Sequence, residues 1–537
     1  MPDFFYRTED IAAEEVMEYF VDIRQDRAIV DALKARNPVI VAGSRGVGKS
    51  FLLRVAEAEL LRDLNSQGVF PVYVTFTKSS LIVTGDPEQF QHWMLARLCT
   101  RIVRSLSKAG KLSVMPSGLS ILTGETSAHD PSRRTKIEGI VEAFEASWQS
   151  PGSLVDIGDL PSIEAFRDAV EDLCSVLGFK RLALLIDEAA HIFLPEQQRQ
   201  FFTLFRDLRS PYITCNAAVY PGVTSYGETF QPAHDATMLT LERDVLEPDY
   251  TASMREIVQK QADGSVISAI ATHGENFEIL AYAASGNPRV LLKTLARAPG
   301  VTRQQVNDLI RQYYRTEIWA EHSSLPEKYA GHGKIIDWGR RFIEDEVLPE
   351  LQKKNQQYLA ADRNSTCFFW VHRDAPEPVK EALRLLAYTG IVTRHATGIR
   401  ATRSEIGTRY AVNLGCLFSL EATPTATTFQ IAKSLTPKRM TEYGSNHPAY
   451  QDLLNEVSDF AEPDASVALR RQFAKSVDVL DITPWQKEKL KSIDLTTIGE
   501  VLRASEAKLQ QLHYVGPIRS RRMRNSAIAA VFEYLSG

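Results

Sequence analysis

The run GSRGVGKS, Gly43 to Ser50, constrains the fold of this chain more than any other stretch. It fits the phosphate-binding pattern G-x-x-x-x-G-K-[ST]. An apolar run, Val39-Ile40-Val41-Ala42, precedes it as a predicted strand, and an amphipathic helix is predicted from Phe51 to Leu61. Glycines allow backbone N–H groups to fold around anionic oxygens, and the helix that follows adds the positive end of its dipole. Lys49 is placed to reach the β- and γ-phosphates, and the Ser50 hydroxyl to ligate Mg2+. Gly43, Ser44, Arg45, Gly46, Val47, Gly48, Lys49, Ser50 and Phe51 are therefore the candidate contacts to ATP.

The 537 residues imply several domains, with a net charge of -5. That charge is uneven: from Ser466 onward the chain carries about +5, leaving the remainder acidic. Five scattered cysteines with no C-x-x-C pair indicate neither a zinc site nor a disulfide framework, as expected of a reducing cytoplasm. The start, MPDFFYRTED, lacks the basic-then-apolar pattern of a signal peptide, and no apolar run approaches the ~20 residues of a membrane span. The expectation is a cytoplasmic protein with no membrane partner.

Further along, strands are predicted at Val69 to Phe76, Leu182 to Ile186, Tyr212 to Tyr220 and Thr237 to Val245. Helices are predicted at Glu88 to Leu106, Ser162 to Leu177 and Pro195 to Leu208, with a Ser-, Gly- and Pro-rich insertion over 108–158. This alternation predicts an α/β fold, a three-layer P-loop parallel sheet over 1–250. A helical lid is expected over 251–330. Over 331–420, helices at Lys334 to Lys353 and Pro378 to Tyr388 precede an alternating hairpin with Gly398 at its tip, which suggests a winged helix. Residues 421–465 read as a linker, and 466–537 as a small all-α helix-hairpin-helix domain.

If the P-loop hydrolyses its ligand, acidic groups are needed nearby. Leu184-Leu-Ile-Asp187-Glu188 ends an apolar strand in two carboxylates: Asp187 would hold the metal with Ser50, and Glu188 would act as general base. A polar residue at a neighbouring strand tip would orient the attacking water. Thr214 and Asn216 share a strand face and both fit, with Asn216 taken as the catalytic candidate. Gly286-Asn-Pro-Arg289 opens a lid helix, with Pro288 in its first turn, so Arg289 is placed to reach the γ-phosphate.

GSRGVGKS, LALLIDE and SGNPR, in this order, resemble the Walker A, Walker B and sensor 2 motifs of AAA+ ATPases. With a winged helix after the lid, the likeness is to the origin-recognition, initiator-type branch, over residues ~1 to ~420. That resemblance implies a sensor 1 residue, matched by Asn216, and an arginine finger that completes a neighbouring subunit's site. The slot from Thr224 to Thr240 contains no arginine. Arg206, Arg209 and Arg243 are the substitutes in reach, none at the family's usual position.

Two regions are candidate DNA surfaces. The wing carries Arg394, Arg400 and Arg403 with no acid among them, whereas the preceding helix mixes Lys380 and Arg384 with Glu377 and Glu381. At the C-terminus, Tyr514-Val-Gly-Pro-Ile precedes Arg519, Arg521, Arg522 and Arg524. This looks like a helix-hairpin-helix, similar also to the C-terminal domain of the bacterial RNA polymerase alpha subunit, except that Tyr514 stands where such hairpins have their first glycine. His191 and Cys215 have no evident chemical partners and are read as packing residues. The reading is an oligomerising ATPase, Mg2+-dependent, whose nucleotide state governs binding of double-stranded DNA. The alternative is a STAND-like signalling switch in phage defence that recruits a separate effector protein.

Overall fold

The computed structural model describes residues 4–82, 86, 88–112, 116–125, 134–187, 195–222, 224, 226–227, 229–327, 333–402, 404–456, 473–480, 482–516, 519–520, 523 and 526–527. Short apolar runs buried on both faces make parallel strands, and five of them form the first sheet. They are β1 (Val39–Ala42), β2 (Val69–Thr75), β3 (Arg181–Asp187), β4 (Ile213–Val219) and β5 (Thr237–Thr240), in the order β2-β3-β4-β1-β5. The last strand is shorter than predicted, since its only partner, β1, ends at Ala42.

Strand alternation divides the core into two layers. Val39, Val41, Tyr73, Leu185 and Ala218 pack with the helices Arg24–Lys34 and Lys49–Arg62. Ile40, Val72, Val74, Leu184, Ile186 and Ala217 face the helices Gln89–Lys108, Ile163–Leu177 and Pro195–Asp207. This is the three-layer P-loop α/β arrangement. The region predicted as an insertion is not a separate appendage, because Leu119, Leu122, Ile137 and Phe144 are buried in the same core.

On the first layer, Glu59 of the helix Lys49–Arg62 is buried and accepts from Arg27 at 2.8 Å and from Lys34 at 2.6 Å. Burial opposes its ionisation, but these two cations win and hold its carboxyl down at about 2. The stabilisation is therefore complete above the ordinary carboxylate value of 4.5 and is lost as pH falls toward 2. Glu59→Gln is expected to cost about 2 kcal/mol at pH 7 in urea unfolding, with the difference from wild type shrinking between pH 4.5 and 2. A deficit independent of pH would contradict this assignment.

The lid follows as helices Tyr250–Gln259, Gly264–Thr272, Gly274–Ala283, Pro288–Arg297 and Arg303–Tyr313. A second, four-stranded sheet then forms from β6 (Phe368–His372), β7 (Val392–Arg400), β8 (Ile406–Val412) and β9 (Thr441–Tyr443), ordered β7-β8-β6-β9. The helical segment Gly333–Arg341 runs through a six-residue π-helical stretch, Phe342–Val347, into Leu348–Ala360. The wide turn lies just before Pro349, whose missing N–H removes one bond from the α ladder. With the helix Glu377–Thr389 and the β7–β8 hairpin, this gives the winged-helix arrangement.

Two sequence expectations change here. Gly398 is not the hairpin tip: it lies within β7 beside a register shift, and the turn spans Ala401 to Glu405, closed by Ala401 N–H to Glu405 O at 2.9 Å. The segment from 421 to 456 is not a linker. Its helix Pro424–Lys433 packs on the lid helix Gly274–Ala283, β9 pairs in parallel with β6, and Ile431, Tyr443, Tyr450 and Leu453 are buried. The C-terminal module has helices Pro484–Lys491, Ile498–Arg503 and Glu506–Gln510 around its own apolar cluster, which includes Leu490, Ile498, Val501 and Leu509. No helix among the described residues is long and apolar enough to cross a membrane.

Candidate nucleotide site

The loop after β1 is held against β4 by the Gly43 N–H, which donates to Val219 O at 3.3 Å. Gly46 and Gly48 have φ of +86° and +105°, left-handed backbone that a side chain disfavours. Space excludes one at Gly46 as well: a Cβ there would lie 2.8 Å from Asn287 Oδ1 and 3.0 Å from Arg289 Cβ. The lid turn therefore rests directly on the P-loop. Asn287 caps its own helix through Val290 N–H and donates its amide to Arg45 O at 2.8 Å. Arg289 is brought to the loop as its sequence position predicted, with Nε donating to Tyr6 O at 2.8 Å. Burial first, then the Arg45 charge, depress the Arg289 guanidinium below its ordinary value.

Lys49 is buried, and its ammonium donates to Gly43 O at 2.7 Å and Ser44 O at 3.0 Å, 3.9 Å from the centroid of the Tyr220 ring. Val47 O accepts from Arg243 Nη1 at 2.6 Å, and the same guanidinium pairs with buried Asp26. Arg45 pairs with Glu321 at 2.9 Å. Ser50 and Phe51 open the helix below the loop and line the same cavity as Gly46, Val47 and Gly48.

Register places Asp187 at this end of the sheet. Ile186 is level with Ala217, and Ala217 with Ile40, so Asp187 stands level with Val41. Its carboxylate is buried and accepts from Tyr73 Oη at 2.6 Å, while the Arg54 guanidinium stacks on the Tyr73 ring at 3.5 Å. Glu188 and His191 lie outside the described residues.

Asn216 requires correction. It is level with Val39, four residues before Gly43, which at ~3.3 Å per residue is about 13 Å from the loop. Its Oδ1 accepts from Val39 N–H at 3.0 Å and its amide donates to Leu33 O at 3.1 Å, so it joins the end of one helix to the start of β1. Thr214, two residues earlier, donates to Arg36 O. The strand runs on to Val219, and the residue at its tip is Tyr220.

Two of the three substitute arginines are engaged within the chain. Arg243 is used within its own site, Arg206 bonds Asp207 and Thr229 O, and Arg209 is an exposed residue past the helix Pro195–Asp207. Cys215 is buried packing, its thiol pushed up to about 12 by that burial.

The sequence did not reveal the cavity's other wall. A space of 390 Å3 opens between the P-loop and the N-terminal segment, lined by the apolar Phe5, Phe20, Val21, Ile257 and Leu292, by the cations Arg7, Arg45, Lys49, Arg243 and Arg289, and by Glu9, Asp10 and Asp26. Burial and the Arg289 charge also hold the Lys293 ammonium below its ordinary value. Glycines that admit backbone close to a ligand, beside gathered cations and an apolar wall, fit a polyanion attached to a flat apolar group. The aromatic run FFYRTED was the available signal, and only the fold shows what it faces.

Residues 4–117 match the family described as ORC-CDC6-like. Over that segment the chain is similar to that family. The AAA+ recognition therefore stands where the P-loop lies. Similar solved structures include the Aeropyrum pernix ORC1 protein in complex with DNA, at 14% identity over 78% of this chain and 95% of that one, TM-score 0.30. The A. pernix ORC2 protein (ADPNP-ADP complexes) is 11% identical over 76% and 98%, TM-score 0.37. A Walker-type ATPase of Pyrococcus abyssi is 13% identical over 79% and 97%, TM-score 0.35. No curated protein sequence matches. The likeness to that family accordingly rests on residues 4–117.

The proposed DNA contacts are unequal. Arg394 and Arg400 are exposed on β7, and Arg403 lies outside the described residues. Arg394 also stands near Glu242 of the P-loop unit, whose carboxyl burial pushes up to about 7 against the pull of that arginine. Beside the turn, Glu442 accepts from Thr402 N–H at 3.0 Å and Thr402 Oγ1 at 2.6 Å. The helix before the wing backs onto the P-loop domain: Arg384 Nε donates to Gly222 O at 2.8 Å, and a Cβ on Gly222 would meet Arg384 O at 2.5 Å.

In the C-terminal module, Arg519 donates to Tyr514 O at 2.7 Å, its guanidinium 5.3 Å from the Trp485 ring centroid. Arg521 and Arg522 lie outside the described residues. Tyr514 has φ +64° and is 73% exposed, so it takes the left-handed backbone of a glycine while burying little of its ring. Tyr514→Gly is expected to stabilise this module by about 1 kcal/mol, read by thermal unfolding. A loss of stability would mean that the ring's 4.2 Å contact with His513 outweighs the backbone strain.

Proposed function

We propose that the chain binds ATP with Mg2+ at the P-loop, hydrolyses it, and couples nucleotide state to the binding of double-stranded DNA and to self-association. The observation that carries this reading is the juxtaposition of two chain segments at one cavity, the glycine-cradled loop with Lys49 and the lid's Arg289, with Asp187 at the same end of the sheet. Lys49 and Arg289 supply positive charge to phosphate oxygens, and backbone N–H groups of 43–50 cradle them. Ser50 and Asp187 are the residues that would hold Mg2+, which neutralises phosphate charge when bound. Glu188 is assigned, from sequence, to take the proton of the attacking water. Arg289 from the lid donates to and stabilises the developing negative charge, so the lid must stay seated on the loop for hydrolysis.

For DNA, exposed Arg400 near the wing turn and Arg519, with Arg403, Arg521 and Arg522 assigned from sequence, supply phosphate contacts. Such contacts make affinity fall steeply with salt. ATP hydrolysis measured with and without duplex DNA tests the reading. The expectation is Mg2+-dependent turnover stimulated by DNA, with Glu188→Gln binding ATP but not turning it over. Undetectable turnover under both conditions, or full turnover by Glu188→Gln, would refute the catalytic part.

A further inference from the structure

We propose that Tyr220 reads the position of the P-loop lysine and passes it to the helix Glu377–Thr389 of the winged module, so that this helix reports phosphate at the loop. The inference rests on the nucleotide reading above. Tyr220 follows Val219, which is level with Ala42 and bonds Gly43, so it occupies the strand tip facing the loop. One side of its ring faces the Lys49 ammonium at 3.9 Å. It also meets Tyr388 edge-to-face, with ring centroids 5.5 Å apart and planes at 79°.

Tyr388 belongs to a helix fastened to this corner at several points. Arg384 donates to Gly222 O, two residues after Tyr220. The backbones of Gly222 and Arg384 approach so closely that no side chain fits at 222. At the helix end, a Cβ on Gly390 would sit 3.7 Å from Ser44 Oγ. Thr389 Oγ1 lies 3.5 Å from His322 Nδ1, and the neighbouring Glu321 pairs with Arg45 of the loop. A shift at the loop therefore has one stiff element to act upon, and that element leads through Gly390 directly into β7 and the wing.

The lever is the ammonium itself. It has three N–H donors, and it donates to Gly43 O and Ser44 O. Phosphate oxygens compete for those same donors, and their charge makes the stronger acceptor. Lys49 turning toward them alters its place over the Tyr220 ring, and the ring edge transmits the change to Tyr388. Packed aromatic contacts of this kind have discrete arrangements, not a continuum.

The test is hydrogen–deuterium exchange of residues 377–400 in the full chain, with and without Mg2+ and a non-hydrolysable ATP analogue, beside a direct titration of that analogue. In wild type, exchange over 377–390 is expected to change by about fivefold or more on saturation. Tyr388→Phe keeps the ring and is expected to keep the response. Tyr388→Leu removes it and is expected to bind the analogue while losing the response. Arg384→Ala, a change at an exposed residue, is expected to weaken it and covers the case in which Tyr388→Leu fails to fold. An undiminished response in Tyr388→Leu, or in Arg384→Ala should Tyr388→Leu fail to fold, would overturn the proposal, as would wild type that binds the analogue with no change over 377–390. Wild type that binds no analogue would instead overturn the nucleotide reading, and this inference with it.

Discussion

Lys49→Ala is expected to lower ATP affinity by about 100-fold or more. The ammonium makes charge-assisted bonds, worth ~1.5–3 kcal/mol each, so the loss of two amounts to roughly 3 kcal/mol or more, a factor above 100. The site offers no replacement in the same place: Arg45 is engaged with Glu321 and Arg243 with Val47 O and Asp26. Titration of a fluorescent ATP analogue measures the change directly. Because Lys49 also holds Gly43 O and Ser44 O, circular dichroism must show the variant folded before its affinity is compared. Affinity within a few-fold of wild type would remove the lysine from the site.

The second large effect belongs to a residue with no phosphate role. Arg243→Ala is expected to destabilise the protein by about 3–5 kcal/mol, because it leaves the buried Asp26 carboxylate without its cation. Burial already raises the Asp26 carboxyl above its ordinary 3.8 even with Arg243 beside it, and the variant removes the opposing pull. The sign follows: a carboxyl raised on folding favours the protonated form, so the deficit is smallest near pH 4 and grows toward neutrality. Urea unfolding of Arg243→Ala at several pH values reads both the size and the slope. Adding Asp26→Asn to it should restore part of the stability, since an amide needs no counter-charge. No recovery in the double variant would mean that the bond to Val47 O, not the ion pair, carries the effect.

What the sequence revealed was local. The P-loop is a contiguous strand, turn and helix, so its position was readable from GSRGVGKS. Arg289 was readable because Asn287 and Pro288 fix a helix start whatever the surroundings. Asn216 failed although the strand was read to within a residue of its ends: it lies three residues before Val219, mid-strand and level with Val39, so it was never a tip residue. Strand β9 was missed for a different reason. Three residues carry no periodicity, and Thr441–Tyr443 becomes a strand by adding to β6, some seventy residues earlier. The cavity wall built by Phe5 to Phe20 required the fold to bring it to the loop.

Tyr220, between Lys49 and Tyr388, and the Arg384 bond to Gly222 O tie the corner beside the P-loop to the helix Glu377–Thr389 of the winged module. That arrangement suits a switch whose output is a position, and it gives the proposed coupling between nucleotide and DNA a physical route. The most direct test is the affinity of a labelled DNA duplex for the full chain, by fluorescence anisotropy at fixed salt, with no nucleotide, with ADP and with a non-hydrolysable ATP analogue. The account predicts affinities that differ by about fivefold or more between nucleotide states, and that converge in Lys49→Ala. Equal affinities in all three states, with nucleotide shown to be bound, would contradict it.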